Sequence, residues 1–153
     1  MRVRILWYAA AVLVFIQLLP FGHGHTNPPV LREPAWDSPQ TRALAKRACF
    51  DCHSNETVWP WYSGIAPVSW LVHRDVNGGR RHLNFSEWTD AGAGRGGAHN
   101  HAGHAVEEVQ SGDMPLWFYL PLHPAARLSE AEKAALVAGF QNMPGFSESA
   151  GDR

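Results

Sequence analysis

Both cysteines of the chain lie in one short motif, Cys49-Phe50-Asp51-Cys52-His53. The pattern is C-x-x-C-H, in which an imidazole directly follows the second of two closely spaced thiols. This spacing suits the attachment of a haem, because the thiols can add to its two vinyl groups while the adjacent imidazole ligates the iron. We therefore predict a covalently attached haem c, with Cys49 and Cys52 as attachment points and His53 as the proximal metal ligand.

Other uses of paired cysteines fit less well. A disulfide-stapled secreted domain normally carries several more cysteines at wider spacings. A thioredoxin-like motif would need a βαβ context, and a structural zinc site would need a second pair of ligands at similar spacing. The sequence supplies neither. We interpret Asp51 and Glu56, which lie close to the motif, as ordinary surface charges.

The iron needs a second axial ligand, and we predict Met114. Its thioether is a soft ligand, and Pro115 restricts the backbone so that the sulfur can be aimed. A methionine more commonly fills core space, but this one lies shortly before a well-capped helix, late in the chain. Three histidines are rivals that would give bis-histidine ligation and a lower potential: His73, His82 and His123. His123 could instead donate a hydrogen bond to a propionate or to a backbone carbonyl.

An aromatic segment follows the motif. Residues 58–71 are rich in Trp, Tyr and branched aliphatic side chains, with Pro60 and Pro67 interrupting regular structure. A porphyrin offers two large apolar faces, and aromatic side chains bury large areas against such surfaces. We predict that this segment forms a wall of the haem site, with Trp59 and Trp61 in contact with the cofactor; filling of the protein core is the alternative for each ring.

Capping signals mark two helices. Ser38 is a good N-cap with Pro39 at the first helical position, and this helix runs into Cys49. Ser129 and Glu132 form a capping box ahead of an apolar stripe. We also predict a short helix over Val68–Val76 that stops at Gly78-Gly79, and another over Ala105–Gln110 that is closed by Ser111-Gly112.

The N-terminus carries an export signal. Arg2 and Arg4 precede an apolar run over residues 5–21, which is longer than most signal-peptide cores. We predict an uncleaved transmembrane anchor over residues 1–21, followed by an extended Pro-rich linker over residues 22–37. A cleaved signal peptide is the alternative. In either case the domain is placed outside the cytoplasm.

A Gly- and Ala-rich tract over residues 91–103 leads into the predicted helix at 105–110. Its histidines, with the one that follows, are His99, His101 and His104. Such tracts can bind Zn²⁺ or Cu²⁺, but a glycine-rich chain is poorly preorganised, and we favour a flexible surface loop. The small, polar residues 145–153 are predicted to form a disordered tail.

Composition excludes several functions. The formal net charge is −1, and the chain has no basic run, so we predict no nucleic-acid partner. It shows no Ser-His-Asp order, no phosphate loop and no convincing carboxylate pair. We predict no catalytic residues and no enzyme activity, although peroxidase-like chemistry is an alternative.

The sequence resembles the bacterial haem-binding-domain family, a group of c-type cytochromes. The similarity runs from about Asn27 to Phe140, and its main segments are residues 48–63, 65–71, 82–88, 114–117 and 122–124. The family resemblance implies a membrane-tethered domain that binds one covalent haem, and it supports Met114 as the distal ligand. The glycine- and histidine-rich tract departs from the family pattern.

The order of elements resembles the class I cytochrome c fold, in which two terminal helices cross beside the haem. We predict an all-α, loop-rich domain over residues 38–144 with an N-terminal transmembrane helix. Its predicted function is one-electron transfer by a His/Met-ligated haem on the periplasmic side of the cytoplasmic membrane, with unidentified redox partner proteins. The alternative is a haem-based sensor or a peroxidase-like protein with a labile distal ligand.

Overall fold

The computed structural model describes residues 2–89, 92–93, 101–144 and 146. The α-helices of this part are α1 Arg2–Gln17, α2 Pro39–Ala48, α3 Phe50–His53, α4 Val68–His82, α5 His101–Ser111 and α6 Glu130–Gln141. Two 3-10 helices cover Trp61–Gly64 and Pro124–Ala126. Strands β1, Trp88–Thr89, and β2, Gly92–Ala93, form one antiparallel pair. The described part is mainly helical, as predicted, with long irregular connections.

Helices α2 and α6 begin as the sequence predicts. The Ser38 hydroxyl accepts a hydrogen bond from the Thr41 amide at 3.1 Å, and Pro39 occupies the first helical position. At α6 both halves of the capping box are present, because Ser129 accepts from the Glu132 amide and the Glu132 carboxylate accepts from the Ser129 amide. These caps satisfy amide groups that have no partner within the helix.

Helix α6 packs closely across α2. A β-carbon at Gly139 would lie 2.2 Å from the Thr41 hydroxyl oxygen, so the contact requires glycine at this position. Beside it, aromatic rings stack through the core from Phe50 to Phe85, from Phe85 to Phe140 and from Phe140 to Phe146. Phe146 belongs to the predicted tail yet is buried in this core; residue 145 and residues 147–153 lie outside the described part.

Helix α4 is longer than predicted, and the predicted stop at Gly78-Gly79 is wrong. The helix continues through both glycines and ends at His82, where the amide of Leu83 donates to the carbonyl of Gly79. The glycines cost helix propensity, but a side chain at Gly79 would collide with the neighbouring helix α3. The close packing of two helices therefore outweighs the local signal.

The predicted N-terminal transmembrane helix is not supported. Among the described residues, no helix has both the length and the apolar character needed to cross a bilayer. Helix α1 has 16 residues and so extends about 24 Å at 1.5 Å per residue, against a hydrocarbon core of about 30 Å. It ends at Gln17, whose side-chain amide donates to the Ala66 carbonyl and accepts from the Ala66 amide, each at 2.9 Å.

Residues 22–37 contain no helix or strand, and they lie along the domain. His25 stacks on Trp59 with ring centroids 4.7 Å apart. The Asn27 side chain donates to the Thr57 carbonyl at 2.9 Å, and Arg80 donates to the Thr26 carbonyl and to Asn27 Oδ1. The segment predicted as a linker is therefore fastened to the domain over part of its length.

Candidate functional site

The residues of the C-x-x-C-H motif lie on one turn. Cys49 follows α2 and precedes α3, and its carbonyl accepts hydrogen bonds from the amides of Cys52 and His53 at 3.2 and 2.9 Å. Residues three and four positions apart share one face of a helix. The fold therefore presents the two thiols and the imidazole together, which the motif predicts.

His53 is held in one orientation and one tautomer. Its Nδ1 lies 3.1 Å from the Leu83 carbonyl at the end of α4, and because a carbonyl only accepts, Nδ1 carries the proton. Burial lowers the pKa of His53 below its usual value. The neutral ring then keeps its lone pair on Nε2, the form that binds metal ions and is oriented by a partner on the other nitrogen.

The thiols are suited to remaining protonated. Cys49 and Cys52 are free and half-buried, and burial raises the pKa of each to about 12. Redox-active and metal-binding cysteines act as thiolates and usually have lowered pKa values. In addition, the described residues contain no group of three or more His, Cys, Asp or Glu side chains that could hold a metal ion. The raised pKa values of these thiols are unlike those of redox-active cysteines.

Helix α4 packs directly against the motif turn. A β-carbon at Gly79 would lie 2.4 Å from the carbonyl oxygen of Cys52, so α4 approaches the α3 backbone directly. The same helix ends next to Leu83, the partner of His53. Sequence reasoning missed this role, although a glycine within a helical pattern often marks a packing contact.

Met114 lies at the edge of the core. Its side chain is half-buried and packs against the same hydrophobic cluster that Cys49 borders. Its amide donates to the Glu108 carbonyl of α5 at 3.0 Å, which fixes where the following loop begins. Its role as a distal ligand stays a prediction.

Asp51 is a connecting group and not a simple surface charge. Its Oδ2 accepts a hydrogen bond from the Tyr119 hydroxyl at 2.5 Å, and its Oδ1 accepts from the Val58 amide at 3.0 Å. Burial raises the pKa of Tyr119, and the nearby carboxylate raises it further. Sequence reasoning missed this pair because the two residues are 68 positions apart. Glu56 is a surface charge, as predicted, and pairs with Lys46.

The rival histidines have different surroundings. Both ring nitrogens of His123 are engaged, Nδ1 with the Tyr119 carbonyl at 3.0 Å and Nε2 with the Tyr62 hydroxyl at 3.3 Å. This includes the backbone carbonyl contact that the sequence suggested for it. His82 is exposed at the end of α4. The Nδ1 atom of His73 is buried and has no hydrogen-bond partner within the described part of the chain.

The two predicted aromatic contacts differ in exposure. Trp59 is half-buried, donates to Asn27 Oδ1 and lies beneath the Arg80 guanidinium. Trp61 is 81% exposed and meets the edge of Tyr62. Further large apolar side chains are exposed in the same segment and after Met114: Val58, Ile65, Val68, Leu71, Trp117, Phe118 and Leu122.

The histidine tract is only partly described. His99 lies outside the described residues, and His101 begins α5. His104 is exposed, with Nδ1 3.8 Å from the Glu107 carboxylate. The predicted flexible loop over 91–103 falls mainly on residues that are not described.

A mainly helical domain that presents two half-buried thiols and an oriented imidazole on one turn has the parts of a haem protein. A family model, the haem-binding domain, matches residues 11–142, and the chain belongs to this family. Neither the curated proteins nor the solved structures contain a match.

Proposed function

We propose that the protein is a monohaem c-type cytochrome that transfers single electrons. The observation that carries this proposal is the motif turn, where half-buried thiols accompany an imidazole oriented by the Leu83 carbonyl. When bound, the haem would supply an iron centre that alternates between two oxidation states. Cys49 and Cys52 would hold the haem through thioether bonds, His53 would be the proximal ligand and Met114 the distal one.

The protein residues would tune this centre. The hydrogen bond from His53 Nδ1 to the Leu83 carbonyl fixes the ring plane and increases the electron donation of Nε2. A thioether from Met114 would raise the potential relative to a second histidine. With His53 and Met114 both holding the iron, external ligands would be excluded, which would suit electron transfer.

Covalent attachment is tested by expression with a haem c maturation system. Haem that stays on the polypeptide in a denaturing gel, and a mass increase of one haem, are the expected results. Cys49→Ser and Cys52→Ser together should abolish both signals. Haem that dissociates on denaturation of the parent protein would contradict a c-type cytochrome.

Electron transfer is tested by a redox titration and by carbon monoxide binding. The holoprotein should titrate as a one-electron couple. Its reduced form should bind carbon monoxide poorly, whereas reduced Met114→Ala should bind it readily. Rapid carbon monoxide binding by the parent protein would favour the second candidate, a haem-based sensor or peroxidase-like protein. That candidate is supported by the weak packing of the Met114 region, in which residues 110–125 include no buried side chain.

We also infer that the N-terminal segment attaches the domain to the outer face of the cytoplasmic membrane. Helix α1 has no buried residue, so its apolar side chains need a cover, and four residues with three further apolar side chains follow it before Gly22. Arg2 and Arg4 would remain on the cytoplasmic side. Retention in the membrane after carbonate washing, with protease access only from the periplasm, is expected. Release of a chain that lacks its first residues would show a cleaved signal peptide instead.

A further inference from the structure

The loop that carries Met114 is weakly held by packing. We define the Met114 loop as residues 114–123, between α5 and the second 3-10 helix. Its side chains are half-buried or exposed, and the nearest buried residues are Val109 and Ala126. Trp117 and Leu122 are 79% and 64% exposed. Apolar burial therefore supplies little of the free energy that keeps the loop in place.

The backbone hydrogen bonds within the loop are local. The amide of Tyr119 donates to the Leu116 carbonyl at 3.0 Å, and the amide of His123 donates to the Leu120 carbonyl at 3.2 Å. These bonds shape the loop, and the bond from the Met114 amide to the Glu108 carbonyl ties its start to α5, but none of them reaches the motif turn. Its position against the motif turn must depend on other contacts.

A side-chain bond connects the loop to the motif turn. The Tyr119 hydroxyl donates to Asp51 Oδ2 at 2.5 Å. Asp51 belongs to α3 and lies between Cys49 and Cys52 in the sequence. The carboxylate is itself fixed, since its Oδ1 accepts from the Val58 amide. A hydrogen bond to an ionised carboxylate is roughly twice as strong as a neutral one.

His123 steadies the tyrosine from within the loop. Its ring stacks on Tyr119 with centroids 3.8 Å apart and planes inclined by 9°. Its Nδ1 donates to the Tyr119 carbonyl, and its Nε2 accepts from the Tyr62 hydroxyl. The Tyr119 ring is therefore held in the orientation in which its hydroxyl meets Asp51.

We propose that Tyr119 is a positioning residue whose hydrogen bond to Asp51, which we call the latch, holds the Met114 loop against the haem-attachment turn. The strength of this bond would then set how firmly the distal ligand is held. This inference rests on the proposed function, because it assumes a haem at the motif and Met114 as its distal ligand. The latch joins the proximal and distal sides of the site through one side-chain contact. Breaking it should release the loop more often without unfolding the core.

The test compares Tyr119→Phe with Tyr62→Phe in the full-length holoprotein. Tyr119→Phe removes only the hydroxyl and keeps the ring on His123. We expect carbon monoxide to bind its reduced form about tenfold faster or more, because a hydrogen bond to a charged group is lost. Tyr62→Phe removes a hydroxyl that bonds His123 and leaves the Tyr119–Asp51 bond in place, so it should increase the rate less than Tyr119→Phe does. Equal rates in Tyr119→Phe and the parent, or equal increases in both variants, would overturn the latch.

A second variant tests the pairing itself. Asp51→Asn keeps an oxygen acceptor without charge, so it should increase the rate less than Tyr119→Phe does. Combining the two substitutions should give no further increase over Tyr119→Phe, because both act on one bond. Additive effects would contradict a direct pair.

Hydrogen exchange separates the latch from the haem assignment. In Tyr119→Phe, with or without haem, the amides of residues 116–123 should exchange faster, while those of α6 stay unchanged. Faster exchange in α6 as well would mean that Tyr119 supports the whole fold and is not a positioning residue. If the parent carries no thioether-bound haem, the proposed function fails, and the exchange experiment still decides whether the latch exists.

Discussion

A methyl group added at Gly79 should displace α3, the helix that carries Cys52 and His53. The β-carbon of Gly79→Ala would lie 2.4 Å from the Cys52 carbonyl oxygen and 2.9 Å from its carbonyl carbon. Both atoms belong to the backbone, so no side-chain rotation relieves the overlap. Helices α3 and α4 must separate by about 1 Å to restore van der Waals contact distances.

The adjacent glycine provides a matched control. A β-carbon at Gly78 would have the Arg81 guanidinium as its nearest neighbour, at 4.0 Å. Both substitutions gain the same helix propensity, about 0.5–1 kcal/mol, so their difference isolates the overlap. Overpacking of this kind costs about 1–3 kcal/mol. We expect Gly79→Ala to be less stable than Gly78→Ala by that amount.

Urea unfolding followed by circular dichroism measures this difference, with the parent protein alongside. Gly78→Ala should be at least as stable as the parent. Gly79→Ala should also yield less haem-loaded protein, since Leu83, whose carbonyl orients His53, directly follows α4. Equal free energies of unfolding for the two variants would refute the close contact between α4 and α3.

Three further predictions follow from contacts outside the motif. The Ser129 amide and other partners lower the pKa of Glu132 from 4.5 to about 2 in the folded protein. Because the unfolded chain then binds the proton more tightly, the free energy of unfolding should fall as the pH drops from about 4.5 to about 2. Glu132→Gln should flatten this pH dependence in acid titrations. Arg80→Met should open residues 22–37 to limited proteolysis, because Arg80 donates to Thr26 and to neighbouring groups, whereas Arg81→Met on the exposed face should not. Gly139→Ala should destabilise the protein by about 1–3 kcal/mol in urea, because its β-carbon would collide with α2; unchanged stability would contradict that crossing.

Local patterns in the sequence were sufficient for several features. The caps at Ser38 and Ser129 depend on amides only three residues away, so neighbouring residue types determine them. The motif turn is similar, because three and four residue spacings on one helical turn bring Cys49, Cys52 and His53 together. The mainly helical class and the grouping of these three residues on one turn were predictable for this reason.

Other features depend on the path of the chain. The Leu83 carbonyl reaches His53 across 30 residues, and Tyr119 reaches Asp51 across 68. Local propensity favoured a helix stop at the two glycines, yet α4 continues because Gly79 packs on the Cys52 backbone. The sequence alone determined which groups can do chemistry and the turn that presents them. Only the tertiary structure decided which distant groups orient them, because such pairings depend on how elements far apart in the chain pack together.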